Sequence, residues 1–321
     1  MDLSRRHFLY ASGAFVAAGA PLCGTAFAAD PKYPVRPIEM IVPWGPGGGA
    51  DQLARQVGKL AEPMLGQGMP VVNVPGGTGA TGMAKLLAAP ADGYSAAIYI
   101  ADAHALLAGP NPRWQLSDIT PAAVMIQAPS FIFVAQDSRF KTWADFEKEA
   151  RANPNKLKVA TLGFDSVDDF SLSYLAGKGV KVVQVPFSKP SERYISILGG
   201  HADALYEQAG DVGSFLSSKQ MRPLMVFGKE RFPDFKDIPC SYELGFQVAL
   251  PQFRAVVMRA GTPAAALAEF DQVMGKVAAS EEYKKFLKDQ IADPKSYLSA
   301  SQSSAFLAQQ LTEMKALAKP S

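Results

Sequence analysis

The stretch Ile38-Glu39-Met40-Ile41-Val42-Pro43-Trp44-Gly45-Pro46-Gly47-Gly48-Gly49-Ala50-Asp51-Gln52-Leu53-Ala54-Arg55 runs from a β-rich apolar segment through a glycine loop into a third segment. In that third segment Leu53, Ala54, Val57, Leu60, Ala61, Met64 and Leu65 recur at helical spacing. The reading is strand, glycine loop, helix. The same unit returns with Val71 to Val74, the loop Pro75-Gly76-Gly77-Thr78-Gly79, a helix through Met83 to Leu87, and a strand from Ala96 to Ala101. Further strands are expected at Phe131 to Ala135, Leu157 to Ala160, Val180 to Pro186, Pro223 to Phe227 and Phe253 to Met258. Helical patterns such as Thr142 to Ala152 and Ser191 to Leu198 lie between them, and Ala264 to Ala279, Glu281 to Asp289 and Ser301 to Ala318 make the last third helical. Alternation of this kind predicts an α/β protein with mainly parallel sheets.

The composition narrows the function. With 48% hydrophobic and 19% charged residues among 321, the chain has material for a core and is not a disordered tail. Its formal charge of +2 offers no basic field for nucleic acid. Two cysteines, Cys23 and Cys240, and three histidines, His7, His104 and His201, are too few for a disulfide framework or a structural zinc cluster, so no metal is expected.

The first 28 residues read as an export signal. A charged start, Ser4-Arg5-Arg6-His7-Phe8-Leu9, is followed by the apolar stretch Ala14 to Ala20 and the small-x-small site Ala26-Phe27-Ala28. Arg5-Arg6 before Phe8-Leu9 resembles the twin-arginine address, with a Sec-type signal as the alternative. Bulky Leu22 before Cys23 argues against lipid attachment. No later stretch reaches the roughly 18 consecutive apolar residues that span a bilayer. The remainder, 29–321, is expected as a monomer in the periplasm, with Cys240 as its one thiol.

The glycine loops are the candidate chemistry. A loop between a strand end and a helix start presents unpaired backbone N–H groups and the positive end of the helix dipole to an anion. Glycine allows positive φ and lets a ligand oxygen approach the amides closely. Two such loops in succeeding βα units share one sheet edge, where α/β proteins bind ligands. The alternative is that they are only tight connections and caps, with Asp51 capping its helix. A sharper competitor is the run Gly77-Thr78-Gly79-Ala80-Thr81-Gly82, which satisfies G-x-G-x-x-G, with Asp102 20 positions past Gly82. It would make the chain an exported nicotinamide-dinucleotide oxidoreductase. Against it, the motif falls on the second βα unit, and neither His104 nor His201 lies in an acid–base motif. The nucleophile elbow and the phosphate-loop motif are both absent.

Tyr33-Pro34-Val35-Arg36-Pro37-Ile38 together with Ile41 to Arg55 resembles the opening of the solute-binding proteins of tripartite tricarboxylate transporters, the Bug family. The resemblance continues through Leu65-Gly66-Gln67, Pro90-Ala91-Asp92-Gly93-Tyr94, Ala103-His104-Ala105, Val185-Pro186-Phe187, Leu198-Gly199-Gly200-His201-Ala202-Asp203, Asp237-Ile238-Pro239, Glu243-Leu244-Gly245-Phe246 and Ala260-Gly261-Thr262-Pro263. It implies a type II periplasmic binding protein without enzyme activity or cofactor. Two α/β lobes, 29–130 plus 250–321 and 131–249, would close on a small organic carboxylate and deliver it to membrane permease subunits. A ligand-sensing extracytoplasmic subunit is the other alternative.

The resemblance implies that main-chain amides of the two early loops grip the carboxylate. The expected ligand-binding set is therefore Trp44, Gly45, Pro46, Gly47, Gly48, Gly49 and Ala50 in the first loop and Thr78, Gly79, Ala80 and Thr81 in the second. Asp102 and His104 follow the third strand, and Phe164, Asp165, Ser166, Phe187, Glu207 and Gln208 come from the second lobe. Departures from the family pattern fall in both lobes: Gly163-Phe164-Asp165-Ser166-Val167-Asp168-Asp169-Phe170 is acidic and bulky, Ser191-Glu192 replaces the usual Pro-Ala after Val185-Pro186-Phe187, Ala50 stands where a hydroxyl residue is frequent, and Tyr99-Ile100-Ala101-Asp102 replaces a Thr/Ser/Gly-rich stretch. Several buried carboxylates cannot face a purely anionic ligand unpaired, so the ligand is expected to carry a polar or cationic distal group. Alternatively, the acids cap helices or pair with Lys and Arg.

Overall fold

The computed structural model describes residues 33–318. The export segment, its cleavage site and Cys23 lie outside them. The described chain forms two five-stranded sheets. The first comprises β1 (Glu39–Val42), β2 (Val71–Asn73), β3 (Ser95–Ile100), β4 (Ile119–Ala128) and β10 (Gln252–Arg259), in the order β2-β1-β3-β10-β4. The second comprises β5 (Ser130–Ala135), β6 (Lys158–Thr161), β7 (Val183–Pro186), β8 (Ala204–Gln208) and β9 (Met221–Val226), in the order β7-β6-β8-β5-β9.

The expectation of mainly parallel sheets needs correction. β1 pairs parallel with β2 and β3, and β6 pairs parallel with β7 and β8. β10 runs antiparallel to β3 and β4, and β5 antiparallel to β8 and β9, so both sheets are mixed. The cause is the double passage of the chain. β4 leads through Pro129 straight into β5 of the other sheet, and the return delivers β10 between β3 and β4 from the opposite direction.

Among the strands and helices not read from the sequence, three matter most for the site. β4 contains Pro121, which its edge position tolerates because an edge strand leaves one row of groups unpaired. β8 ends in the polar pair Glu207-Gln208, which masks its apolar start. The third is the helix Val167–Gly177, called α5 below.

Helix α1 (Gly49–Leu65) buries the stripe Leu53, Ala54, Val57, Ala61 and Leu65 and stops at Gly66, where φ is 65° and the amide donates to Glu62 O at 2.9 Å. In β5 the two-residue period separates two cores: Ile132 and Val134 join the large cluster, while Phe131 and Phe133 join a second one with Tyr194, Leu205 and Cys240. Helices α2 (Ala80–Ala88), α3 (Ala101–Ala105) and α4 (Trp143–Ala152) precede α5, and α6 (Pro190–Leu198) and α7 (Gly213–Ser217) follow it. The tail, α8 (Ala264–Ala279), α9 (Glu281–Asp289) and α10 (Ala300–Ala318), is tied to β4: Val124 N donates to Ser303 Oγ at 2.7 Å and Tyr283 Oη to Met125 O at 2.9 Å. Among the described residues no helix is long and apolar enough to cross a membrane.

Candidate functional site

The first glycine loop is shaped from below by polar side chains. Asp51, in the first turn of α1, reaches back to accept from Gly47 N at 3.0 Å and from the Arg55 guanidinium. Asn73 of β2 donates to Trp44 O and to Asp51, each at 3.0 Å. Burial opposes ionisation of Asp51, but the hydrogen bonds from Arg55, Gly47 and Asn73 outweigh it and hold its carboxyl below the usual range. Gly47 has φ 84° and is exposed with Pro46, whereas Trp44, Gly45, Gly48, Gly49 and Ala50 are buried. The helix cap is Gly48, which has no side chain to satisfy the first amides of α1.

The second loop leads from a single tight turn, Gly77–Gly79, directly into α2. Thr78 (φ 53°) and Gly79 (φ 94°) are left-handed there. A Cβ added at Gly79 would lie 2.8 Å from Trp44 Cζ2, so the indole is what joins the two loops. Ala80 is buried and Thr81 exposed.

Residues of the second sheet's half press on both loops. Pro190, the first residue of α6, sits on the first loop: a Cβ added at Gly48 would be 2.7 Å from its Cγ. Thr78 Oγ1 donates to Phe164 O at 3.3 Å. Phe164 is 60% exposed, and Ser166 caps α5 by accepting from Asp169 N at 3.1 Å. Asp165, at φ 55°, donates its amide to Asp169 Oδ2 at 2.8 Å. Phe187 packs at the margin of the second core.

The remaining sequence-read acids and the histidine already have partners. Asp102 is wholly buried and accepts from Val167 N at 3.0 Å and Gln252 Nε2 at 2.9 Å, so it caps α5 from across the cleft and holds no free oxygen for a ribose. Asp168 accepts from Leu162 N at 2.8 Å, and burial, with the Asp102 charge adding to it, raises its pKa. Both ring nitrogens of His104 are engaged, with Tyr99 Oη at 3.1 Å and Leu307 O at 2.9 Å. Burial lowers its pKa to about 4, so the neutral ring is a core strut with both nitrogens already engaged. Glu207 pairs with Arg193 and accepts from Gln208 N at 3.0 Å.

Between the loops and the second half lies a narrow cavity of about 30 Å³. Of the sequence-read residues, Trp44, Gly48, Gly49, Ala50, Glu207 and Gln208 line it, joined by Pro190, Arg193, Tyr194, Asp211 and Arg254. All five of these were missed. Arg254 donates to Gln290 Oε1 at 3.2 Å and Gln208 Oε1 at 3.3 Å, and pairs with Asp211. The absence of a side chain at Gly49 makes room for that pair. Arg193 uses Nη2 on Glu207, while its Nε and Nη1, together with Tyr194 Oη and Asp211 Oδ1, are buried without a partner. Arg254 did carry a signal: it is a lone cation inside the apolar run Phe253 to Met258, and such a residue is buried only when paired. Arg193 carried none, being one charge in the first turn of an amphipathic helix.

Two sheets bridged twice, with their loops meeting across a cavity, are the architecture of two-lobed periplasmic binding proteins. The chain superposes on Rpa4515 of R. palustris with adipate with a TM-score of 0.83, at 21% identity over 89% of this chain and 97% of that one. MatC from Rhodopseudomonas palustris with bound malate gives a TM-score of 0.81, also at 21% identity, over 89% of this chain and all of that one. The model of the tripartite tricarboxylate transporter family receptors, TctC, matches residues 53–320, and the chain belongs to that family. The UPF0065 protein in the tcbD-tcbE intergenic region of Pseudomonas sp. strain P51 is 27% identical over 80% of this chain and 78% of that protein.

Proposed function

We propose that the protein is an exported solute-binding receptor that captures a small organic carboxylate between two lobes and hands it to membrane permease subunits, without catalysing a reaction on it. The observation that carries this reading is the cavity where the uncapped start of α1 meets buried cations from α6 and β10. Open helix amides favour an anion there, and lobe contact excludes water. The lobes on this reading are 29–130 with 250–321, and 131–249, the strand pairing supporting Pro129 as the first crossing point.

Adipate and malate, carried by the two structural neighbours, are the starting ligands to try. A cavity of about 30 Å³ has room for a carboxylate group or two to three waters, so a longer acid requires the lobes to part slightly. The case for a polar distal group rests on Asp211 rather than on Asp102 or Glu207. Asp211 Oδ1 lacks a donor, and a ligand hydroxyl or ammonium would supply one.

Thermal unfolding of the mature protein against a library of mono- and dicarboxylates, hydroxy acids, amino acids and nicotinamide dinucleotides tests the proposal. A ligand at 100 times its Kd adds about 2.7 kcal/mol, which raises the midpoint on the order of 5 °C. At least one carboxylate should do so without being consumed. A shift with dinucleotides alone would reject the receptor reading in favour of an oxidoreductase.

A further inference from the structure

We infer that Arg193 is the specificity-determining cation of this cavity, donating from its unused Nε and Nη1 to the same ligand carboxylate that the first amides of α1 approach from the opposite side. The inference deepens the proposed function and rests on it. It begins from an imbalance between the two buried arginines. Arg254 has Nη1 on Gln290, and its Nη2 contacts Gln208 and Asp211, so it is anchored within the protein. Arg193 is 3% exposed and uses Nη2 alone, leaving Nε and Nη1 buried without an acceptor. Buried guanidinium donors left unmade are costly, and an anionic oxygen is the acceptor that satisfies them best.

Position argues the same way. Pro190 begins α6 on top of Gly48, which sets the first turn of α6, and Arg193 within it, over the first turn of α1. Arg193, Gly48, Gly49 and Ala50 line one cavity. One anion there would meet helix amides from the first lobe and a guanidinium from the second, so its binding would draw the two together. The charged and titratable groups around Arg193 are Glu207, Tyr194, Asp168 and Asp102, with Asp211 and Arg254 lining the same cavity; Arg254, the one other cation among them, is already held by Asp211, Gln208 and Gln290.

The test compares acids with their amides, because an amide keeps the shape and loses the charge. Acetate, L-malate and adipate are titrated calorimetrically against acetamide, malamide and adipamide, using the mature wild type, Arg193→Lys, and the double variant Arg193→Gln with Glu207→Gln. The double variant removes both charges together and so leaves neither buried alone; Arg193→Lys keeps a cation beside Glu207 should the double variant fail to fold. The wild type should prefer an acid over its amide, and that preference should shrink roughly 10- to 100-fold in the double variant and by about 10-fold in Arg193→Lys. A preference undiminished in whichever variants fold overturns the inference while leaving the receptor reading intact. If the wild type binds none of the three, the best carboxylate of the thermal library and its amide take their place, and failure of every carboxylate in that library removes both.

Discussion

Gly48→Ala separates lobe contact from folding, because the two put different demands on this residue. Its backbone, φ −82° and ψ 170°, is open to any residue, so the first loop itself accepts a methyl group. The methyl would lie 2.7 Å from Pro190 Cγ and 3.4 Å from Pro190 Cβ. Carbon atoms rest at about 3.5 to 4 Å, so the contact must give by most of an ångström. Pro190 cannot rotate away, since its ring is part of the backbone of α6. Overpacking of this size costs about 1–3 kcal/mol, which weakens a ligand that requires the contact about 5- to 150-fold. The free protein can relieve the strain by parting its lobes, and the loss of unfolded-chain freedom returns about 0.4–1 kcal/mol. Calorimetry should therefore show weakened binding of the best library acid while the unfolding midpoint of the free protein barely moves, and small-angle scattering should show a larger radius of gyration. Removing Cγ with Pro190→Ala in the same chain should restore part of the affinity. Unchanged affinity and scattering in Gly48→Ala would show that the Pro190 contact has no part in binding, and the reasoning would fail.

Gly82→Ala makes the opposite demand: its Cβ would lie 2.6 Å from Pro43 Cα, a fixed backbone atom in the same lobe, so this variant should lower the urea midpoint by the equivalent of about 1–3 kcal/mol, and an unchanged midpoint would contradict the packing. His104 should make the protein acid-sensitive. Its folded pKa, lowered to about 4 by burial, lies below the unfolded value near 6.5, so its contribution is complete above pH 6.5 and is lost as the pH falls from there toward 4. On that basis about 3 kcal/mol of stability should disappear over the window, and His104→Gln should flatten that part of the urea-midpoint profile; parallel profiles for variant and wild type would assign the sensitivity elsewhere.

The glycine loops were legible because their cause is local. Gly47, Gly48 and Gly79 sit between an apolar strand pattern and a helical one, and neither signal needs knowledge of the rest of the chain. Asp51, expected to cap its helix, instead accepts from Gly47 N, and Ser166, expected at the ligand, caps the unread helix α5. Strand direction was not legible, because it depends on where β10 inserts, between strands more than a hundred residues earlier. Asp102 shows the limit most clearly. Its spacing from Gly82 fits a dinucleotide fingerprint, yet Val167 and Gln252, distant in sequence, take both of its oxygens. Arg193 and Asp211 lie on opposite sides of β8 in sequence, and only the folded arrangement brings their free polar atoms to one cavity.

The insertion of β10 between β3 and β4 orders events during synthesis. Every strand of the second sheet lies between residues 130 and 226, so that sheet can pair fully as soon as this stretch is free of the ribosome. The first sheet cannot. Until residues 252–259 emerge, β3 and β4 have a strand-wide gap between them, and two inner edges stand open to any passing strand. The part of the molecule made first is thus completed last, and its glycine loops gain their rigid base only when most of the chain already exists.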